Sequence, residues 1–207
     1  MNITTDKQQI RQTILAAREQ LSPVLRAEYN AAITERLLQL PEYLKADTVL
    51  GYMNFGNEFA SELWVARALS EGKRLALPRV NRHTNLLELY WVTDLKNQLA
   101  AGLWGIREPV VARCERLNAI NEVEFVLLPG IAFSRNGARL GYGGGFYDKL
   151  LAHAPCASHR PALGAAAYGL QVVAQIPQET TDVRVEWIIT EAETINCGTV
   201  PHSGQTE

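Results

Sequence analysis

Apolar residues recur at helical spacing from the start of the chain: Ile10, Ile14, Ala17 and Leu21 make one stripe. Thr5 can cap this helix, with Gln8 completing a capping box. Lys7, Arg11 and Arg18 fall on another face, Lys7 and Arg11 one turn apart. Ser22-Pro23 reads as the cap and first turn of a second helix ending near Leu40-Pro41. The pattern then changes. Thr48 to Met53, Arg74 to Pro78, Leu87 to Val92, Val123 to Leu128, Pro161 to Ala167 and Val185 to Thr190 are short apolar runs between turn residues. Each predicts a strand. Helices are predicted from Ser61 to Leu69 and from near Gly145, where Phe146, Leu150 and Leu151 recur. Leu103 to Pro109 reads as irregular. Strands alternating with helices predict an α/β fold with a mostly parallel sheet covered on both faces.

Composition narrows the class. The chain has 207 residues, 47% hydrophobic and 20% charged, with net charge -2. One domain over 1–195 is expected, followed by a loose polar tail over 196–207. No basic excess points to nucleic acid, and no apolar run approaches a membrane span. The first residues lack a secretory pattern. Cys114, Cys156 and Cys197 are odd in number and widely spaced. They predict free thiols in a reducing cytoplasm rather than a disulfide framework or a zinc site. His83, His153, His159 and His202 show no metal-ligand spacing. A monomer acting on small molecules is expected.

The chemistry concentrates after the Val123–Leu128 run. Asn136-Gly137 reads as a turn, and a loop with Gly141, Gly143, Gly144 and Gly145 follows. Glycines let backbone approach a ligand closely, successive N–H groups there can form an anion nest, and a helix start adds free N–H groups. Arg139 offers a permanent forked charge suited to phosphate. Asp148, in the first turn of the following helix, can hold a hard cation. The expected ligand is a phosphate with a metal. The loop matches neither a Walker A motif nor a dinucleotide fingerprint, because Phe146-Tyr147 follows Gly145. Elsewhere, Glu58 sits in a loop after the first strand. There it can accept two N–H bonds from a planar amino-heterocycle, or serve as an ordinary helix-start acid.

The run Arg139-Leu140-Gly141-Tyr142-Gly143-Gly144-Gly145-Phe146-Tyr147-Asp148 resembles the signature of the 5-formyltetrahydrofolate cyclo-ligase family. The likeness extends through Pro129-Gly130-Ile131-Ala132-Phe133 and, more weakly, over most of the chain. It implies a three-layer α/β/α fold and a site for ATP, Mg²⁺ and folate. Lys7, Gln8, Gln9, Ile10 and Arg11 would form a first ATP segment, and Arg139 to Tyr147 a second. Met53, Glu58 and Trp104 would contact the folate, together with Tyr142, Gly143, Gly144, Gly145 and Phe146. Arg139 and Tyr147 would be catalytic, and Asp148 and Asp182 would bind Mg²⁺. Many members have Arg where this chain has Tyr142, and Tyr where it has Phe146.

The implied activity is the MgATP-dependent conversion of 5-formyltetrahydrofolate to 5,10-methenyltetrahydrofolate, ADP and phosphate. Two alternatives also fit the residues: a sugar-phosphate isomerase using Glu58 as base, and a non-catalytic folate- or nucleotide-binding module.

Overall fold

The structure, a computed structural model, describes residues 3–152 and 160–198. Helix α1 (Ile3–Glu19) opens the chain. In α2 (Pro23–Leu38) the Ser22 hydroxyl accepts from the Leu25 N–H at 3.2 Å, the cap expected there. This helix ends close to the expected Leu40-Pro41, and Pro41 then opens a further short helix, α3 (Pro41–Lys45). Strand β1 (Thr48–Leu50) follows, then α4 (Ser61–Ser70), β2 (Arg74–Asn81) and β3 (Leu86–Val92). Three short strands come next: β4 (Leu99–Ala101), β5 (Arg107–Pro109) and β6 (Glu115–Leu117). Strand β7 (Phe125–Leu127) leads to β8 (Ala132–Ser134), β9 (Arg139–Leu140) and α5 (Phe146–Ala152). The chain continues through β10 (Ala162–Ala166), β11 (Val172–Val173), β12 (Trp187–Ile189) and β13 (Thr194–Asn196).

The main sheet runs β13-β12-β10-β7-β1-β2-β3-β6. Its centre, β12-β10-β7-β1-β2, is parallel, and β3, β6 and β13 add antiparallel edges. Period-2 alternation splits each central strand between two cores. Val49, Leu75, Phe125, Leu127 and Ile189 face a core shared with α2, α3 and α4. Leu50, Ala76, Val126, Leu163 and Ile188 face the other, which takes Leu151 of α5. This is the α/β sandwich that the alternation predicts. On the first face Tyr43, Trp64 and Phe125 form a fully buried triangle of rings, with centroids 5.5 to 6.2 Å apart. Helix α1 packs elsewhere: Ile14 joins Ile131, Ala132 and Leu140 beside the small sheet β11-β8-β9.

Several elements differ from the sequence reading. Strand β1 stops at Leu50, and Tyr52 and Met53 leave the sheet to line a cleft. The segment read as irregular belongs to a β4–β5 hairpin, pairing Leu99 with Pro109. Strands of three residues are too short for alternation to register. At the far end, Ile195 is buried opposite Ile188, Asn196 pairs with Trp187, and the Cys197 N–H donates to Glu186 at 2.8 Å. The expected tail boundary at 196 therefore falls inside a strand pairing. Residues 199–207, Cys156, His153, His159 and His202 lie outside the described residues. Among those described, no helix is long and apolar enough to cross a membrane.

The β8–β9 turn ties the small sheet to the large one. Gly137 has φ 86 and donates its N–H to Ser134 at 2.8 Å. Its carbonyl accepts from Val185, just ahead of β12, also at 2.8 Å, and a Cβ here would sit 2.3 Å from the Val185 carbonyl oxygen. Gly137→Ala should therefore destabilise the protein by about 1–3 kcal/mol, read as a lowered urea midpoint. An unchanged midpoint would show that this turn has slack.

Candidate active site

A cleft of about 1650 Å³ opens beside the ends of β1 and β7. Its walls include Lys7, Arg11, Met53, Glu58, Trp104, Arg139, Tyr147, Asp148, Asp182 and the whole run Leu140 to Phe146. Residues far apart in the chain are thus brought to one place. Three expected residues are not among them. Gln8 and Gln9 are exposed, and Ile10 packs with Ile14 against the small sheet. Each helical residue turns about 100° from the last, so Lys7 and Arg11 share the cleft face while the three between them point away. Of the five residues expected as a first ATP segment, Lys7 and Arg11 line the cleft.

The glycine loop is shaped by its own backbone and by α1. Gly143 and Gly145 have φ 104 and 63, the left-handed region that side chains disfavour. The Arg11 Nε donates to the Gly141 carbonyl at 2.8 Å, so α1 pins the loop directly. A Cβ at Gly144 would lie 2.6 Å from the Phe146 ring, which rests against the loop.

Lys7, Arg11 and Arg139 are already engaged. Lys7, only 8% exposed, donates to Asp182 at 2.6 Å and Glu179 at 3.0 Å. Burial opposes its charge, but the hydrogen bonds and charges of Asp182 and Glu179 hold the ammonium above the ordinary lysine range. Arg139, also buried, donates to Asp148 at 2.6 Å and to the Pro129 carbonyl at 3.2 Å. Asp148 also accepts the Val183 N–H at 3.1 Å, which joins the two aspartate-bearing segments. Among the described residues no three acidic, histidine or cysteine side chains cluster as a ready metal cage. Two cleft carboxylates nevertheless suit Mg²⁺, which commonly takes one or two of them plus substrate phosphates and water.

The other half of the cleft is aromatic and holds Glu58. This carboxylate is 7% exposed and accepts the Phe55 N–H at 2.7 Å. Desolvation pushes its pKa up, against the opposing effects of that N–H, Tyr142 and Arg18. Tyr142 packs edge-on to Phe55 at 6.2 Å. Burial and the nearby Glu58 push the Tyr142 phenol up to about 12. Tyr147 is raised as well, chiefly by burial. Both phenols therefore stay protonated as hydrogen-bond donors. Met53 is buried in the wall. Trp104 is 62% exposed at the tip between β4 and β5, with φ 56, a conformation rare for an aromatic residue. Phe55, Tyr52, Glu108 and Glu179 also line the cleft and were not singled out in the sequence. Phe55, three residues before Glu58 in a loop containing Gly56, carried the one usable signal.

A family model described as the 5-formyltetrahydrofolate cyclo-ligase family matches residues 3–191. The chain belongs to this family. A 5-formyltetrahydrofolate cyclo-ligase from Haemophilus influenzae is 30% identical over 87% of this chain and 95% of its own length. One from Escherichia coli is 26% identical, covering 85% of this chain and 95% of that protein. The structure of Aquifex aeolicus 5,10-methenyltetrahydrofolate synthetase superposes with a TM-score of 0.79 at 30% identity, covering 97% of this chain and 99% of that one. The cyclo-ligases are ATP-dependent ligases, and membership makes this chain an enzyme of that class.

Arg11 pegs the loop, and as the expected phosphate contact it would also supply charge there. Arg11→Ala should raise the KM for ATP by about tenfold or more, with a smaller effect on the folate KM. Equal changes in both constants would refute this division.

Proposed function

We propose that the cleft converts 5-formyltetrahydrofolate and ATP into 5,10-methenyltetrahydrofolate, ADP and phosphate. One observation carries this reading. A cation-lined glycine loop for phosphates and a buried acceptor for an amino-heterocycle, Glu58, share a single cleft.

The chemistry requires that juxtaposition. A formamide carbonyl is a weak electrophile and its oxygen a poor leaving group. Transfer of the γ-phosphoryl group to that oxygen makes it able to depart. The amine nitrogen at position 10 of the folate then attacks the activated carbon, closes the ring and expels phosphate. The protein's tasks are positioning and charge stabilisation. Lys7 and Arg11 hold phosphates, and the N–H groups of Gly141 to Gly145 cradle them. Arg139 stabilises the transferring group. Glu58 orients the heterocycle between Met53, Trp104 and Phe146, and Tyr147 donates a hydrogen bond beside it. Phosphate oxygens can take over Lys7 and Arg139, and Asp182 and Asp148 would then be the carboxylates to hold Mg²⁺. When bound, that ion neutralises phosphate charge. No enzyme nucleophile is required.

We also place the reaction in the cytoplasm, a reducing compartment that suits the free thiols Cys114 and Cys197. We take a single copy of the chain as the working unit.

Incubation with MgATP and 5-formyltetrahydrofolate should give methenyl absorbance and ADP in equal amounts. ADP without the methenyl product would exclude the ring closure. Arg139→Ala should lower kcat by at least roughly a hundredfold with the circular dichroism spectrum unchanged. A near-normal rate would remove Arg139 from the mechanism. Asp148→Asn should shift the Mg²⁺ titration of activity to higher concentration, and an unmoved titration would refute its role as a ligand.

A further inference from the structure

Arg18 stands out as a buried cation that the reaction, as described, does not use. It is 2% exposed. Its Nε donates to the Asn57 carbonyl at 3.1 Å, and its Nη1 donates to the Tyr142 hydroxyl at 3.3 Å. Arg26 braces the same place, donating to the Asn57 side chain at 2.6 Å and to the Arg18 carbonyl at 3.4 Å. Among the described residues no carboxylate lies within ion-pair distance of Arg18. A buried guanidinium without a charged neighbour is strongly unfavourable. The anion it answers is Glu58: Arg18 holds the carbonyl of the preceding residue, Asn57, and the Tyr142 hydroxyl, and both Arg18 and Tyr142 favour the charged form of Glu58.

We propose that Arg18 is a positioning residue for the substrate's amino-heterocycle, holding Glu58 charged and aimed into the cleft through the Tyr142 hydroxyl. This rests on the reading of Glu58 as the folate acceptor. The chain of contacts spans three parts of the fold: α1 supplies the cation, the glycine loop the phenol, and the loop after β1 the carboxylate. The arrangement also links the two halves of the cleft, because Arg11 on the same helix pins the same loop at Gly141. Besides Arg18 and Tyr142, the titratable groups facing Glu58 are Tyr52 from the end of β1 and Tyr147 from α5. Both are buried phenols that stay neutral, so Arg18 is the cation that favours the carboxylate.

The direction of the effect follows. Desolvation favours the protonated acid, and Tyr142 and Arg18 oppose it. Removing either makes Glu58 take up a proton at higher pH. A protonated carboxyl can no longer accept two N–H bonds, so folate recognition fails from the acid side.

The test compares wild type with Tyr142→Phe, Arg18→Met and Arg18→Lys. KM and kcat are measured separately for 5-formyltetrahydrofolate and ATP, from about pH 5.5 to about pH 9. Tyr142→Phe keeps the ring and its packing on Phe55. It should raise the folate KM roughly tenfold near pH 6 and much less at alkaline pH, with the ATP KM changed by less than about twofold. Arg18→Met should move the acid limb further, and Arg18→Lys should restore part of it. Thermal melts identify any variant that has lost the fold, and Tyr142→Phe keeps the test decisive if Arg18→Met is one. An unshifted acid limb in Tyr142→Phe, or parallel changes in both KM values, would overturn the proposal. If wild type itself fails to turn over, the parent reading fails instead, so the two failures are distinguishable.

Discussion

The cleft depends on burying charge without stranding it. An unpaired ion removed from water costs several kcal/mol, so each buried cation here is answered by a group from a remote part of the chain. Lys7 meets Asp182, Arg139 meets Asp148, and Arg18 holds the Asn57 carbonyl next to Glu58 and the Tyr142 hydroxyl. These links tie α1, the loop after β1, the glycine loop and the 179–183 segment into one wall. The pairs that complete the free site are also ones a phosphate can replace, because phosphate presents the same oxygen acceptors to the same donors.

The scaffold makes that placement possible. Parallel strands send their carboxyl ends to the same edge, where connecting loops leave the sheet together. Tyr52 and Met53 after β1 and Pro129 after β7 all arrive at the cleft in this way. The sheet is held from behind by close packing. A Cβ at Gly164 in β10 would lie 2.8 Å from the Phe125 ring, so the small residues of that strand match the bulk of its neighbour. Helix α1 stands apart from this sandwich, on the small β11-β8-β9 sheet. From there it can present Lys7 and Arg11 to the cleft and Arg18 to Asn57 and Tyr142 while Ile14 keeps it anchored.

Much of the fold was legible because alternation is a local signal. The runs at 48–53, 74–78, 87–92, 123–128, 161–167 and 185–190 all contain strands, and the parallel centre followed from their alternation with helices. The strands that went unread, such as β4, β5, β8 and β9, have two or three residues each. They are fixed by pairing across space rather than by any pattern of their own. The stop near Leu40-Pro41 was legible, but the short helix that Pro41 begins was not, because a proline can end one helix and open the next.

The same division runs through the site. By itself, the sequence singled out the groups proposed to carry the chemistry: the glycine run, Arg139 and Asp148 by residue type and spacing, and Glu58, Lys7 and Arg11 through the family resemblance. Tertiary structure alone decided who answers whom. It set Lys7 against Asp182 across 175 positions, turned Gln8, Gln9 and Ile10 away, and brought Arg18 to Tyr142. The physical reason is that charge pairing acts over a few ångströms of space, whereas sequence patterns report only neighbours along the chain.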